Sequence, residues 1–196
     1  MKTLLFLALA CIGLFSSCKD RDADPNTLPE ATQSGKNTFG VKINGKAYTP
    51  KSSKNDLSNI GYPTYNGVWD DFSYDENKTF SPLVSLDNVN LTRIILRIND
   101  PKGITSKEYM LNGQDQNNPQ GRITIGYLIY ETTTLKKQYN AIPNSGSIII
   151  TKNDNNVISG VFSGKLQNVS DANDKLEITE GRFDFNKNTI NDYKFP

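Results

Sequence analysis

The sequence predicts an all-β chain, folded as an antiparallel β-sandwich or, as the alternative, closed into a β-barrel. Three observations carry this. Beyond the first seventeen residues, no window repeats its apolar residues at i, i+3 and i+4, so no amphipathic helix is expected. Short runs of β-branched and aromatic residues alternate with polar ones instead. Gly, Pro, Asn and Asp clusters separate these runs at hairpin spacing.

Taken in order, Thr38–Pro50 (TFGVKINGKAYTP) reads as a hairpin. Phe39, Val41 and Ile43 alternate, Asn44-Gly45 is a strong two-residue turn signal, and Pro50 ends the return strand. Residues 51–82 are expected to form a long ordered loop with one short strand, because their many aromatics favour burial. In LTRIILRIND, Thr92, Ile94, Leu96 and Ile98 fall on one face. Arg93 and Arg97 fall on the other, expected in water. Asp100–Gly103 is a turn, Glu108–Leu111 a short strand, and NGQDQNNPQG a loop. RITIGYLIYETT aligns Ile123, Ile125, Tyr127 and Ile129.

Pro143–Gly146 is a further turn before a second hairpin, Ile148–Leu166. On its return strand Ile158, Phe162 and Leu166 share a face, and Gly160 and Gly164 between them suggest close packing or bulges. After the turn Asp171–Asp174 comes LEITEGRFDF, with Ile178, Phe183 and Phe185 apolar and Gly181 marking a bulge. About eight strands are expected. The sandwich is the first reading and a lipocalin-like barrel the second.

The first residues have a different character. Lys2 precedes an unbroken apolar run from Leu4 to Phe15, followed by Ser16, Ser17 and Cys18. As a helix the run would rise about 18 Å, short of the ~30 Å hydrocarbon core. It therefore reads as a leader over 1–17 rather than a membrane span. Residues 18–37 (CKDRDADPNTLPEATQSGKN) lack apolar periodicity and, after Cys18, read as a flexible tether. One β-rich domain over 38–196 remains.

A positive start, a short apolar core and small residues running into Cys18 resemble the signal of bacterial lipoproteins. That resemblance implies a diacylglycerol on the Cys18 sulfur, cleavage before it and acylation of the new amine. Phe15 stands where the family usually carries Leu, a looser form similar to lipoproteins of the Bacteroidetes group. The rival reading is an ordinary secretory cut nearby, which favours a small-x-small pattern that Phe15 disrupts. Lys19, Asp20, Asp22 and Asp24 also resemble the export tag of surface lipoproteins in that group, with Arg21 interrupting it. Leu28–Pro50, Ser159-Gly160-Val161-Phe162 and Thr179–Asp184 (TEGRFD) look like the two ends of a family of small Bacteroidetes lipoproteins. Members often carry Cys where this chain has Val41. The resemblance brings no catalytic residue with it.

The implied localisation is the cell envelope, lipid-anchored in the outer membrane and facing outward. The implied partner is the membrane itself. A buried acyl chain contributes ~0.8 kcal/mol per methylene, and several together hold a protein durably.

Composition narrows the function. With Lys2 gone, the 22 basic residues become 21, matching the 21 acidic ones. A neutral chain gives no case for nucleic acid, whose affinity rests on phosphate neutralisation. There is no His, and the only cysteines are Cys11, inside the leader, and Cys18. His/Cys zinc sites, Ser-His-Asp triads and disulfides within the domain are thereby excluded. No cofactor motif occurs.

The one stretch that suggests ligand binding is NGVWDDFSYDENKTF. Trp69 and Tyr74 could stack on a sugar ring while Asp70, Asp71 and Asp75 take its hydroxyls, or those acids could hold Ca²⁺. The plainer reading is aromatics packed on the edge of the fold. The spacing lacks a calcium-loop order, and Asp171–Glu177 fails the same test. Two further readings are plain: Asn44-Gly45 as a turn, and Arg182 beside Asp184 as a surface ion pair worth at most ~1 kcal/mol. A non-enzymatic envelope module with a glycan or protein ligand is thus the expected function. A surface hydrolase acting on glycans is the alternative, and a purely structural component the third reading.

Overall fold

The computed structural model describes residues 27–50, 78–87, 92–113, 121–131 and 134–190. Eleven strands run in chain order: β1 Thr38–Ile43, β2 Lys46–Tyr48, β3 Thr79–Phe80, β4 Leu83–Asp87, β5 Thr92–Asn99, β6 Glu108–Met110, β7 Ile123–Glu131, β8 Thr134–Ala141, β9 Ser147–Asn153, β10 Val157–Asn168 and β11 Lys175–Asn186. All pairings are antiparallel, and the described residues contain no α-helix.

The long strand β10 organises the sheet. One edge pairs with β11 from Val157 to Gln167. Its other edge is shared, with β9 along Ile158–Ser163 and β8 at Leu166–Asn168. The sheet therefore parts into two layers. One runs β2-β1-β11-β10-β9-β6; the other runs β8-β7-β5, with β3 and β4 side by side on the far edge of β5. The apolar faces of the two layers meet, with the Phe80 ring of β3 5.1 Å from the Phe183 ring of β11. Among the described residues no ladder joins β2 to β3 or β4, so the sheet does not close into a barrel and the sandwich reading holds.

The alternation read in the sequence builds this core. Phe39, Val41 and Ile43 are buried, as are Ile94, Leu96 and Ile98, and Ile158, Phe162 and Leu166. Phe39, Phe162, Phe183 and Phe185 form a connected set of rings, with neighbouring centroids 5.5–6.5 Å apart. Such pairs add ~0.5–1.5 kcal/mol each beyond their buried area. Gly160 is needed for this packing: a Cβ there would sit 2.4 Å from the Ile149 carbonyl and 2.7 Å from the Phe183 ring. Asn44 and Gly45 both take positive φ (49° and 80°), as a tight hairpin turn requires. The bulge expected at Gly181 lies in β11. From Ile178 to Gly181 β11 takes three steps where β10 takes two from Phe162 to Gly164, and Glu180 takes the positive φ of 49°.

Three expectations are corrected. The described residues form eleven strands rather than about eight, among them β4 and β8, which were not legible. The first four residues of β8 are exposed, so TLKKQYNA shows no apolar face until Tyr139 and Ala141. Arg93 is not in water. It is 8% exposed, and its guanidinium lies 5.1 Å from the Tyr130 ring centroid. Tyr130 and Leu128 on β7 give its stem and its charge an apolar and aromatic surface to lie on. Finally, the ordered body does not start at Thr38. Residues 27–37, read from composition as part of a tether, are packed against β1, β10 and β11.

Candidate functional site

The residues singled out by the sequence for function, Cys18 and the group Trp69, Asp70, Asp71, Tyr74 and Asp75, lie outside the described residues. Within the described residues, two carboxylates organise the strongest polar constellations.

The first is Asp184. It sits near the C-terminal end of β11 between Phe183 and Phe185, which point into the core, so its own side chain points outward. Its cross-strand neighbour on β10 is Ser159, also fully buried, whose hydroxyl donates to Asp184 Oδ1 at 2.7 Å. Residues 32–36 close over the pair. Thr32 Oγ1 donates to Oδ2 at 2.5 Å, Gly35 N to Oδ1 at 2.8 Å, Ser34 N to Oδ2 at 3.1 Å, and Lys36 N to Oδ2 at 3.2 Å. Burial pushes the carboxyl pKa up, but the donors from Thr32, Ser159, Gly35 and Lys36 outweigh it and hold the pKa at about 2. The expected Arg182–Asp184 ion pair is not formed. Arg182 turns to the Glu180 carboxylate (3.4 Å) and donates to the Pro29 carbonyl (3.2 Å).

The second is Asp174, at the turn leading into β11. Its Oδ2 accepts from Asn168 Nδ2 (2.9 Å), Lys137 Nζ (2.9 Å) and the Tyr139 hydroxyl (2.8 Å). These donors, Asn168 first, lower its pKa to about 2. Tyr139 is shifted the other way, upward, by burial and by its hydrogen bond to Asp174.

These arrangements define what the two acids can do. Both oxygens of Asp184 are already taken by five donors of the chain itself. A general acid or base works best with a pKa near the operating pH, and groups fixed near 2 are poor proton carriers at neutrality. Both acids are therefore fasteners: Asp184 ties the N-terminal segment to the sheet, and Asp174 ties β8 to the β10–β11 turn. Among the described residues, no group of three His, Cys, Asp or Glu is gathered as a metal site would need.

Sequence reasoning missed the Asp184 cradle. Two signals pointed to it: an acid flanked by two phenylalanines, Phe183-Asp184-Phe185, and a run of hydrogen-bonding residues, TQSGKN, just before β1. Neither says that the two meet. No family model, curated protein or solved structure matches this chain.

Proposed function

We propose that this chain is a lipid-anchored cell-envelope protein, attached through Cys18 to the outer membrane, whose β-sandwich serves as a binding or structural module rather than an enzyme. The observation that carries the reading is the junction LFSSC, where a short apolar leader and two small residues run into the one cysteine outside the leader. The resemblance to Bacteroidetes lipoproteins and the acidic stretch after Cys18 support outward display. A neutral net charge after loss of the leader supports a lipid rather than an electrostatic hold on the membrane.

The test is Cys18→Ala in the native host, followed by fractionation and a carbonate wash. The wild type is expected to stay with the membranes and to carry the mass of its acyl chains; the variant is expected to be washed off. A variant that remains bound would end the proposal. Protease added to intact cells should degrade the wild type, and full protection would refute outward display. The glycan-ligand reading rests on Trp69, Asp70, Asp71, Tyr74 and Asp75. A glycan array should show binding lost in Trp69→Ala, with no turnover; turnover abolished by one Asp substitution would favour the hydrolase.

A further inference from the structure

The segment 27–37 is held along its length. Asn37, buried and at φ 55°, donates from its amide to Thr189 Oγ1 (3.0 Å) and accepts from the Asn186 N–H (2.8 Å). Thr32, Ser34, Gly35 and Lys36 donate to Asp184 as described. Lys152 Nζ donates to the Gln33 carbonyl at 3.1 Å, and Arg182 to that of Pro29. Beyond that, the Pro29 ring fills the space a Cβ on Gly40 would need, 2.6 Å from its Cδ. The contacts pass from the level of Asp184, which pairs with Thr38, to the level of Arg182, which pairs with Gly40. The segment therefore doubles back over β1, on the outer side of the β1–β11 layer.

We infer that this strap sets how the domain stands on the lipid surface: it holds the outer side of the β1–β11 layer toward the headgroups and turns the β8–β7–β5 layer away. The inference rests on the lipid-anchor reading. Chain geometry gives the reason. From Cys18 to a body beginning at Thr38, the chain could span about 70 Å fully extended. From Cys18 to a strap fixed from Thr27 onward, it spans at most about 30 Å. A domain tied on so short a leash, at one face rather than at one end, cannot turn that face far from the bilayer. The outer side of the β8–β7–β5 layer is then presented away from the bilayer.

The experiment uses the lipidated protein in phosphatidylethanolamine–phosphatidylglycerol vesicles with a headgroup-bound energy acceptor. The mature chain would have no thiol once Cys18 is acylated, so a single introduced cysteine can be labelled. Lys46→Cys places a dye on β2, in the strapped layer, and Leu135→Cys places one on β8, in the other. Both positions are exposed. Transfer is expected to be at least twofold greater from position 46 than from 135. Gly35→Pro removes the amide that donates to Asp184 and cannot adopt the φ of 72°, without altering any strand. In that background the difference should shrink and total transfer should fall. Hydrogen exchange supplies a readout independent of lipid: the amides of Ser34 and Lys36, which donate to Asp184, should exchange at least 100-fold faster in Gly35→Pro than in the wild type.

Failure of the wild type to bind vesicles would overturn the anchor reading. Vesicle binding with equal transfer from both dyes, or transfer unaltered by Gly35→Pro, would overturn the strap inference and leave the anchor standing. Unprotected wild-type amides at 34–36 would overturn the strap inference without any membrane.

Discussion

Asp184 and Asp174 have the same lowered pKa, about 2, and opposite structural situations. Asp184 is 1% exposed and has no cation among its donors: two hydroxyls and three backbone amides hold it. The side chain of Asp174 is 26% exposed and sits beside a lysine, a tyrosine and an asparagine. Asp184 joins residues about 150 positions apart, whereas the partners of Asp174 are 6 to 37 positions away. The comparison teaches that a depressed pKa does not rank the two for stability. What ranks them is the number of groups left buried and unpaired when the acid is removed, because an orphaned donor costs more than a made bond contributes.

The largest expected effect is therefore that of Asp184→Ala. It leaves the Ser159 hydroxyl and the amides of residues 34–36 without their acceptor. Loss of about 3 kcal/mol or more is expected in urea unfolding. Asp184→Asn should cost less, since one oxygen acceptor remains. If Asp174→Ala proves as destabilising as Asp184→Ala, the ranking by orphaned donors is wrong.

Acid should separate Asp184 from its own variant. Its folded pKa lies below the unfolded value of ~3.9, so the stability it contributes is fully present above that value. It is lost as pH falls through 4 toward 2. The contribution amounts to about 2 kcal/mol at neutrality. The stability gap between wild type and Asp184→Asn should therefore be constant above pH 5 and narrow steadily between pH 4 and 2. A gap that stays constant down to pH 2 would show that the charge on Asp184 is not what the cradle holds. Ser159→Ala comes next: it removes one buried donor while Asp184 keeps four others, for an expected cost of about 1 kcal/mol.

The strands and the cradle differ in how far the sequence reveals them. Phe39/Val41/Ile43, Ile94/Leu96/Ile98 and Ile158/Phe162/Leu166 announce their faces, because one side of each strand is buried against the other layer and period 2 follows. The turn at Asn44-Gly45 is legible because few residue pairs tolerate two positive φ values. β8 is not legible, since most of it touches no core. The cradle is least legible. Its donors are backbone N–H groups, which every residue carries, and hydroxyls whose polarity reads as solvent exposure. Only the fold brings TQSG over Ser159 and Asp184. The same blindness put Arg93 in water, since composition does not show that Tyr130 of the neighbouring strand would cover it.

The smallest expected effect tests the other side of the comparison. Lys137→Ala removes the only cation among the donors to Asp174 and leaves Asn168 and Tyr139 in place. The lysine side chain is 51% exposed, so its attraction to the carboxylate acts largely through water and is screened by salt. The variant should unfold at nearly the wild-type urea midpoint, with a difference smaller than that of Ser159→Ala and absent in 1 M NaCl. NMR titration should show the folded Asp174 pKa rising in the variant while staying below the ordinary carboxylate value, because the Asn168 hydrogen bond, the leading cause of its depression, is untouched. An Asp174 pKa that returns fully to the ordinary value would mean that charge rather than hydrogen bonding holds this turn. Asp174 would then be the electrostatic counterpart of Asp184 and not a weaker version of the same device.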